Sequence, residues 1–136
     1  MYTLDFYPSL VKVLDNKSSF IEGSIIVFHD GRLRHVFKAN SGGYGNGCFE
    51  HGVYRIKSVK LLPEEDKWSP YKRDGKPWWA PITPLFKTKR TSLGAHPDGG
   101  VPGTLGCLGL LEDDMLFYKV LSDILLVQNE VELTVY

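Results

Sequence analysis

The chain has 136 residues, 43% of them hydrophobic and 24% charged, a size and mix that suit one globular domain with its own core. Sixteen basic residues balance sixteen acidic ones, which leaves no global basic field to gather nucleic acid or anionic lipid. No apolar run approaches the roughly 20 residues that span a bilayer, the opening residues Met1 to Phe6 carry no basic stretch followed by a long apolar one, and two cysteines, Cys48 and Cys107, are few for a disulfide-stapled domain.

The first half reads as β. Thr3 to Tyr7 is a short alternating run, and Phe20 to Phe28 is rich in β-branched and aromatic residues. The second run ends in His29-Asp30-Gly31-Arg32, and Asp-Gly between two such runs signals a tight hairpin with Leu33 to Ala39 as the return strand. Asn40 to Gly47 is a glycine-rich loop that lacks both the spacing and the Lys-Ser/Thr pair of a phosphate-binding loop. Val53 to Leu62 alternates and reads as another strand. Pro63 to Pro81 carries prolines at 63, 70, 77 and 81 around Trp68, Trp78 and Trp79. That density of proline excludes a regular helix and leaves two readings, a surface loop whose tryptophans tuck onto the core or a lid over a cleft.

Ile82 to Thr88 and Thr91 to Ala95 are predicted strands leading into His96. Leu111 to Leu121 is the one predicted helix, with acids at 112 to 114 near its N-terminus and Met115, Leu116, Tyr118 and Leu121 as its apolar stripe. Ile124 to Val127 and Val131 to Tyr136 are expected to close the chain as a hairpin around Asn129-Glu130. There is no internal repeat or linker. The expectation is a single mainly β domain over 1–136, a curved sheet or sandwich with one helix and the functional site at one edge.

The chemistry concentrates in Leu93 to Leu110, where His96 precedes a glycine-rich turn and then Gly106-Cys107-Leu108-Gly109. Taken alone, a cysteine among leucines is usually a small core hydrophobe and a lone histidine is usually structural. Three features favour catalysis. Gly106 and Gly109 leave the backbone bare beside the sulfur, so a carbonyl can approach and backbone N–H groups can meet a developing oxyanion. His96 lies eleven positions upstream across a turn, which lets two strand ends face each other. Thr104 is placed to hydrogen-bond within the loop. A thiol is a poor nucleophile at neutral pH until a base takes its proton, and an imidazole is the natural base.

These residues resemble the signature of the L,D-transpeptidase catalytic domain, the YkuD-like fold: a histidine, a glycine-containing spacer, then Ser/Thr-His-Gly-Cys and an apolar residue. The chain supplies His96, the spacer, and Thr104-Leu105-Gly106-Cys107-Leu108-Gly109, with Leu105 where the family has its second histidine. The spacer is shorter than is typical. Glu50 to Ile56 echoes the family's strand entry without its usual Thr-Pro. The likeness runs over roughly residues 20 to 136, and its specific part is the stretch from His96 to Cys107.

The resemblance implies an L,D-transpeptidase-like fold and a cysteine-dependent enzyme acting on peptidoglycan stem peptides through a Cys107 thioester. His96 would be the base, and the backbone N–H of Cys107 with that of Gly106 would form the oxyanion hole. The outcome would be transpeptidation, or carboxypeptidase or endopeptidase hydrolysis. Without a secretory signal, other machinery would deliver the chain to the wall, as for a phage lytic enzyme or an injected toxin. The alternative is a non-catalytic wall-binding or virion module that retains the fold.

Arg90 is a candidate for a substrate carboxylate, against a solvated charge beside Lys87 and Lys89. Tyr44 and Trp79 are candidates to flank the cleft, against simple packing. Asp98 either orients a histidine or makes the Pro97-Asp98-Gly99-Gly100 turn, and the turn is the stronger reading. No Cys-x-x-Cys, His-Glu-x-x-His or similar ligand spacing is present, so no metal and no cofactor are expected, and His29, His35 and His51 read as ordinary surface or packing residues. The expected partners are peptidoglycan peptides, with neither nucleic acid nor membrane, and the chain is expected to act as a monomer.

Overall fold

The computed structural model describes residues 1–13, 19–42, 48–99 and 107–136. Among the described residues nine strands form in chain order: β1 Tyr2–Val13, β2 Ser19–His29, β3 Arg32–Gly42, β4 Gly52–Ile56, β5 Lys60–Leu61, β6 Trp78–Pro84, β7 Gly94–Pro97, β8 Leu108–Leu110 and β9 Val131–Val135. A 3-10 turn covers Asp66–Tyr71 and one α-helix, α1, covers Asp114–Val127. No helix among the described residues is long and apolar enough to cross a membrane.

The β1–β2–β3 meander is locally determined. Asp30 and Gly31 take φ of 50° and 80°, the left-handed pair that a two-residue hairpin turn requires, and His29 pairs with Arg32 across it. The strands are longer than the sequence pattern indicates, because β1 and β3 continue as β-ribbon beyond their apolar runs. Asn40 to Gly42, expected in a loop, extend β3.

The sheet order is β4-β9-β1-β2-β3-β8-β7-β6-β5, and β4 also pairs with β6. The sheet therefore closes into a barrel instead of remaining an open curved sheet or splitting into a sandwich. Closure satisfies the backbone groups that open edges would leave bare. The closing contact is Tyr54–Ile56 against Ile82–Pro84, with β5 pairing the other end of β6.

Other expectations are corrected here. Val53 to Leu62 is broken into β4 and β5. The segment expected to be loop up to Pro81 ends at Pro77, since Trp78 opens β6. Ile124 to Val127 is the last turn of α1, not a strand, so β9 has no hairpin partner there. It instead inserts between β1, in parallel, and β4, antiparallel. The buried stripe of α1 is Phe117, Leu121 and Ile124, whereas Leu116 is 45% exposed. Phe117 meets Phe37 edge-on at 5.1 Å and stacks on Trp78 at 5.6 Å. One continuous core joins these to Leu4, Ile25, Leu108 and Leu133.

Candidate functional site

Strands β7 and β8 lie side by side and parallel, with Ala95 beside Leu108 and His96 beside Gly109. Side chains alternate along a strand. Ala95 and Leu108 belong to the buried core, so Gly94 and His96, with Cys107 and Gly109, share the opposite, outward face. Cys107 directly precedes β8, and its thiol lies at the backbone of Gly94. The imidazole and the thiol thus occupy diagonal corners of one patch, and the other two corners are glycines. Cys107 is absent from the contiguous hydrophobic core.

The polar, proline-rich segment after Leu62 folds over this patch. Tyr71 meets the His96 ring edge-on at 4.6 Å, Trp79 lies nearly parallel to it at 5.9 Å and 19°, and the two aromatic rings touch each other edge-on at 5.8 Å. The segment docks backbone to backbone: the Gly99 N–H donates to the Pro70 carbonyl at 3.1 Å, and a Cβ on Gly99 would lie 1.8 Å from the Lys72 carbonyl oxygen. Gly94 is equally constrained, since a Cβ there would sit 2.4 Å from the Trp79 ring. A cleft of about 290 Å³ opens beside the patch, lined by Lys60, Leu62, Trp68, Tyr71, Trp79 and Ser92. Within the 63–81 segment Trp78 is core, as the packing reading expects, and Trp79 and Tyr71 line the cleft.

The electrostatics follow from burial. His96 is 6% exposed, and its Nδ1 lies 2.7 Å from the carbonyl oxygen of Pro97. A carbonyl only accepts, so Nδ1 carries the proton and Nε2 carries the lone pair. Burial pulls the imidazole pKa down to about 4, partly opposed by that hydrogen bond, so the ring is neutral at physiological pH. Cys107 is 8% exposed and its thiol donates to the Ser92 carbonyl at 3.8 Å. Ser92 holds a left-handed φ of 56°, a conformation that costs strain in a residue with a side chain.

Burial pushes the Cys107 thiol above its ordinary range, and the Gly94 backbone pulls only partly the other way. An activated thiolate is therefore not the resting state. Thiol and imidazole both rest neutral.

The remaining expected residues are distributed as follows. Trp79 is at the site. Arg90 lies with Glu50, its Nε 3.6 Å from a carboxylate oxygen, and its backbone N–H donates to Thr88 Oγ1 at 3.2 Å. Its charge thus takes part in an ion pair with Glu50. Tyr44, Thr104 and Gly106 fall outside the described residues. Asp98 does more than turn the chain: it is 3% exposed, and Asn40 Nδ2 donates to its carboxylate at 2.6 Å. The histidine orienter is the Pro97 carbonyl, not the Asp98 side chain. His29 stacks on Tyr2 at 4.1 Å and His35 on Phe37 at 5.8 Å, as packing residues. Cys48 is a half-buried thiol whose pKa is also raised by burial.

Tyr71, Ser92 and Gly94 were not legible as site residues. Gly94 alone had a signal, a glycine two positions before the histidine on the same strand face. Among the described residues no group of three or more His, Cys, Asp or Glu side chains is arranged to hold a metal ion. No protein-family model, curated protein or solved structure matches the chain.

Proposed function

We propose that the protein is a cysteine-dependent acyl-transfer enzyme of the L,D-transpeptidase type, acting on the stem peptides of peptidoglycan outside the cytoplasmic membrane. The observation that carries this reading is the shared outward face of His96 and Cys107, flanked by two glycines and bordered by an aromatic cleft. The family resemblance of the stretch from His96 to Cys107 supplies the substrate class.

In the first half-reaction the Cys107 sulfur attacks the carbonyl carbon next to the diamino-acid centre while His96 Nε2 accepts the thiol proton. The tetrahedral oxyanion meets the backbone N–H of Cys107. Collapse breaks the C–N bond, Nε2 returns its proton to the departing D-alanine amine, and a thioester remains. In the second half an acceptor amine or water attacks the thioester and gives a proton to Nε2, which passes it to the departing sulfur. Removing a single oxyanion donor costs about 10²–10³ in rate in enzymes of this logic.

The test is incubation of purified sacculi with the wild-type protein, Cys107→Ala and His96→Ala, with muropeptides followed by mass spectrometry. New cross-links or trimmed stems are expected with the wild type alone. Equal products from Cys107→Ala would remove the nucleophile. Unchanged muropeptides with the wild type, together with co-sedimentation on sacculi, would favour a non-catalytic wall-binding module.

A further inference from the structure

We propose that Asp98 is a positioning residue for His96: clamped by Asn40 and Arg73, it fixes the Pro97 carbonyl that holds the imidazole as its Nδ1–H tautomer. The inference rests on the reading of His96 as the base. The contact that selects the tautomer is made between adjacent residues, His96 Nδ1 and the Pro97 oxygen, so its geometry depends on the backbone torsions immediately around Pro97.

Those torsions are fixed from the far side. The Asp98 N–H donates to the Leu110 carbonyl at 2.9 Å, which ties the end of β7 to β8. Arg73 Nη1 donates to the Asp98 carbonyl at 2.7 Å, which ties it to the covering segment. The Asp98 carboxylate accepts from Asn40 Nδ2 at 2.6 Å, which ties it across the sheet to β3. Asn40 pairs with Gly109, and Gly109 pairs with His96, so Asn40 and His96 stand on one face with a bare glycine between them. Gly109 contributes no side chain to this buried row.

Asn40 is fully buried, and its Oδ1 has no hydrogen-bond partner among the described residues. An orphaned buried carbonyl costs desolvation that an apolar side chain of the same size would avoid. Core stability alone therefore does not account for an asparagine at this position. The Nδ2 bond to Asp98 does, because it converts a mobile aspartate into a fixed one. Sharp orientation of a base matters for rate far more than for folding.

The test reads the tautomer directly. In protein labelled with ¹⁵N at histidine, the wild type is expected to show a His96 ring with a protonated Nδ1 and an unprotonated Nε2. Asp98→Ala and Asn40→Ala are expected to give a mixture of tautomers. Asp98→Asn, which still accepts from Asn40, is expected to restore the single form. Turnover of sacculi should fall about 10–100-fold in kcat in the two alanine variants with little change in KM. If those buried variants fail to fold, Arg73→Met, at an exposed side chain, carries the same expectation in weaker form. A folded Asp98→Ala that keeps a single Nδ1–H tautomer overturns the proposal even if the protein is an active peptidoglycan enzyme. A tautomer shift in a protein inert toward sacculi supports the clamp and counts against the enzyme reading alone.

Discussion

His96 is held where water would normally solvate it, and desolvation decides its chemistry. Its folded pKa lies at about 4, below the ordinary value of 6.5 that the unfolded chain would show. Above pH 6.5 the ring is neutral in both states and contributes nothing. As pH falls from 6.5 towards 4 the unfolded chain takes up a proton that the folded chain refuses, so stability falls through that window. The loss reaches about 3 kcal/mol once pH passes the folded value. The unfolding midpoint should drop between pH 6.5 and 4, and His96→Gln should flatten that slope; an equal slope in the variant would remove the assignment. For the same reason kcat/KM should stay level across neutral pH with no inflection near 6.5. A break there would mean that the imidazole is hydrated during the proposed reaction.

At the scale of elements, the site is the product of one pairing, β7 beside β8 in parallel. A shift of one residue in that register would send either His96 or Cys107 to the core face. Trp79 on β6 then packs against the His96 ring, and this close approach depends on Gly94 having no side chain. Gly94→Ala is predicted to destabilise the fold by about 1–3 kcal/mol through overpacking and to displace the Trp79 ring from His96. Tryptophan fluorescence and a denaturation curve read both effects; an unperturbed indole would show that the contact is loose. The helix illustrates the same dependence on neighbours. Its stripe faces Phe37 and Trp78, and which of its apolar residues are buried follows from where those two rings lie.

At the scale of the whole molecule, closure of the barrel is the largest structural decision. Strand β9 makes it possible by pairing with β1 on one side and β4 on the other, and Leu133 sits between Leu4 and Tyr54. Leu133 is 1% exposed. Leu133→Ala is expected to cost about 2–5 kcal/mol in equilibrium denaturation. A cost below about 1 kcal/mol would mean that β9 is a loosely attached edge and the barrel is not closed there. Closure also explains where the chemistry sits. The interior is filled by apolar side chains from every strand but β5, so polar groups gather on the outer face and on the segment laid across it.

The amino-acid sequence by itself determined the β character, the Asp30-Gly31 hairpin, the helix near Asp114 and the candidacy of His96 and Cys107. Each is encoded within a few neighbouring residues, as turn torsions, alternation, helical period, or a nucleophile and base among glycines. The tertiary structure alone decided that the sheet closes, that Tyr71 and Ser92 join the site, that Asp98 answers to Asn40, and that the thiol rests protonated. Those outcomes depend on strands far apart in sequence coming into register and on how much water they exclude, and neither quantity is written in any local stretch of the chain.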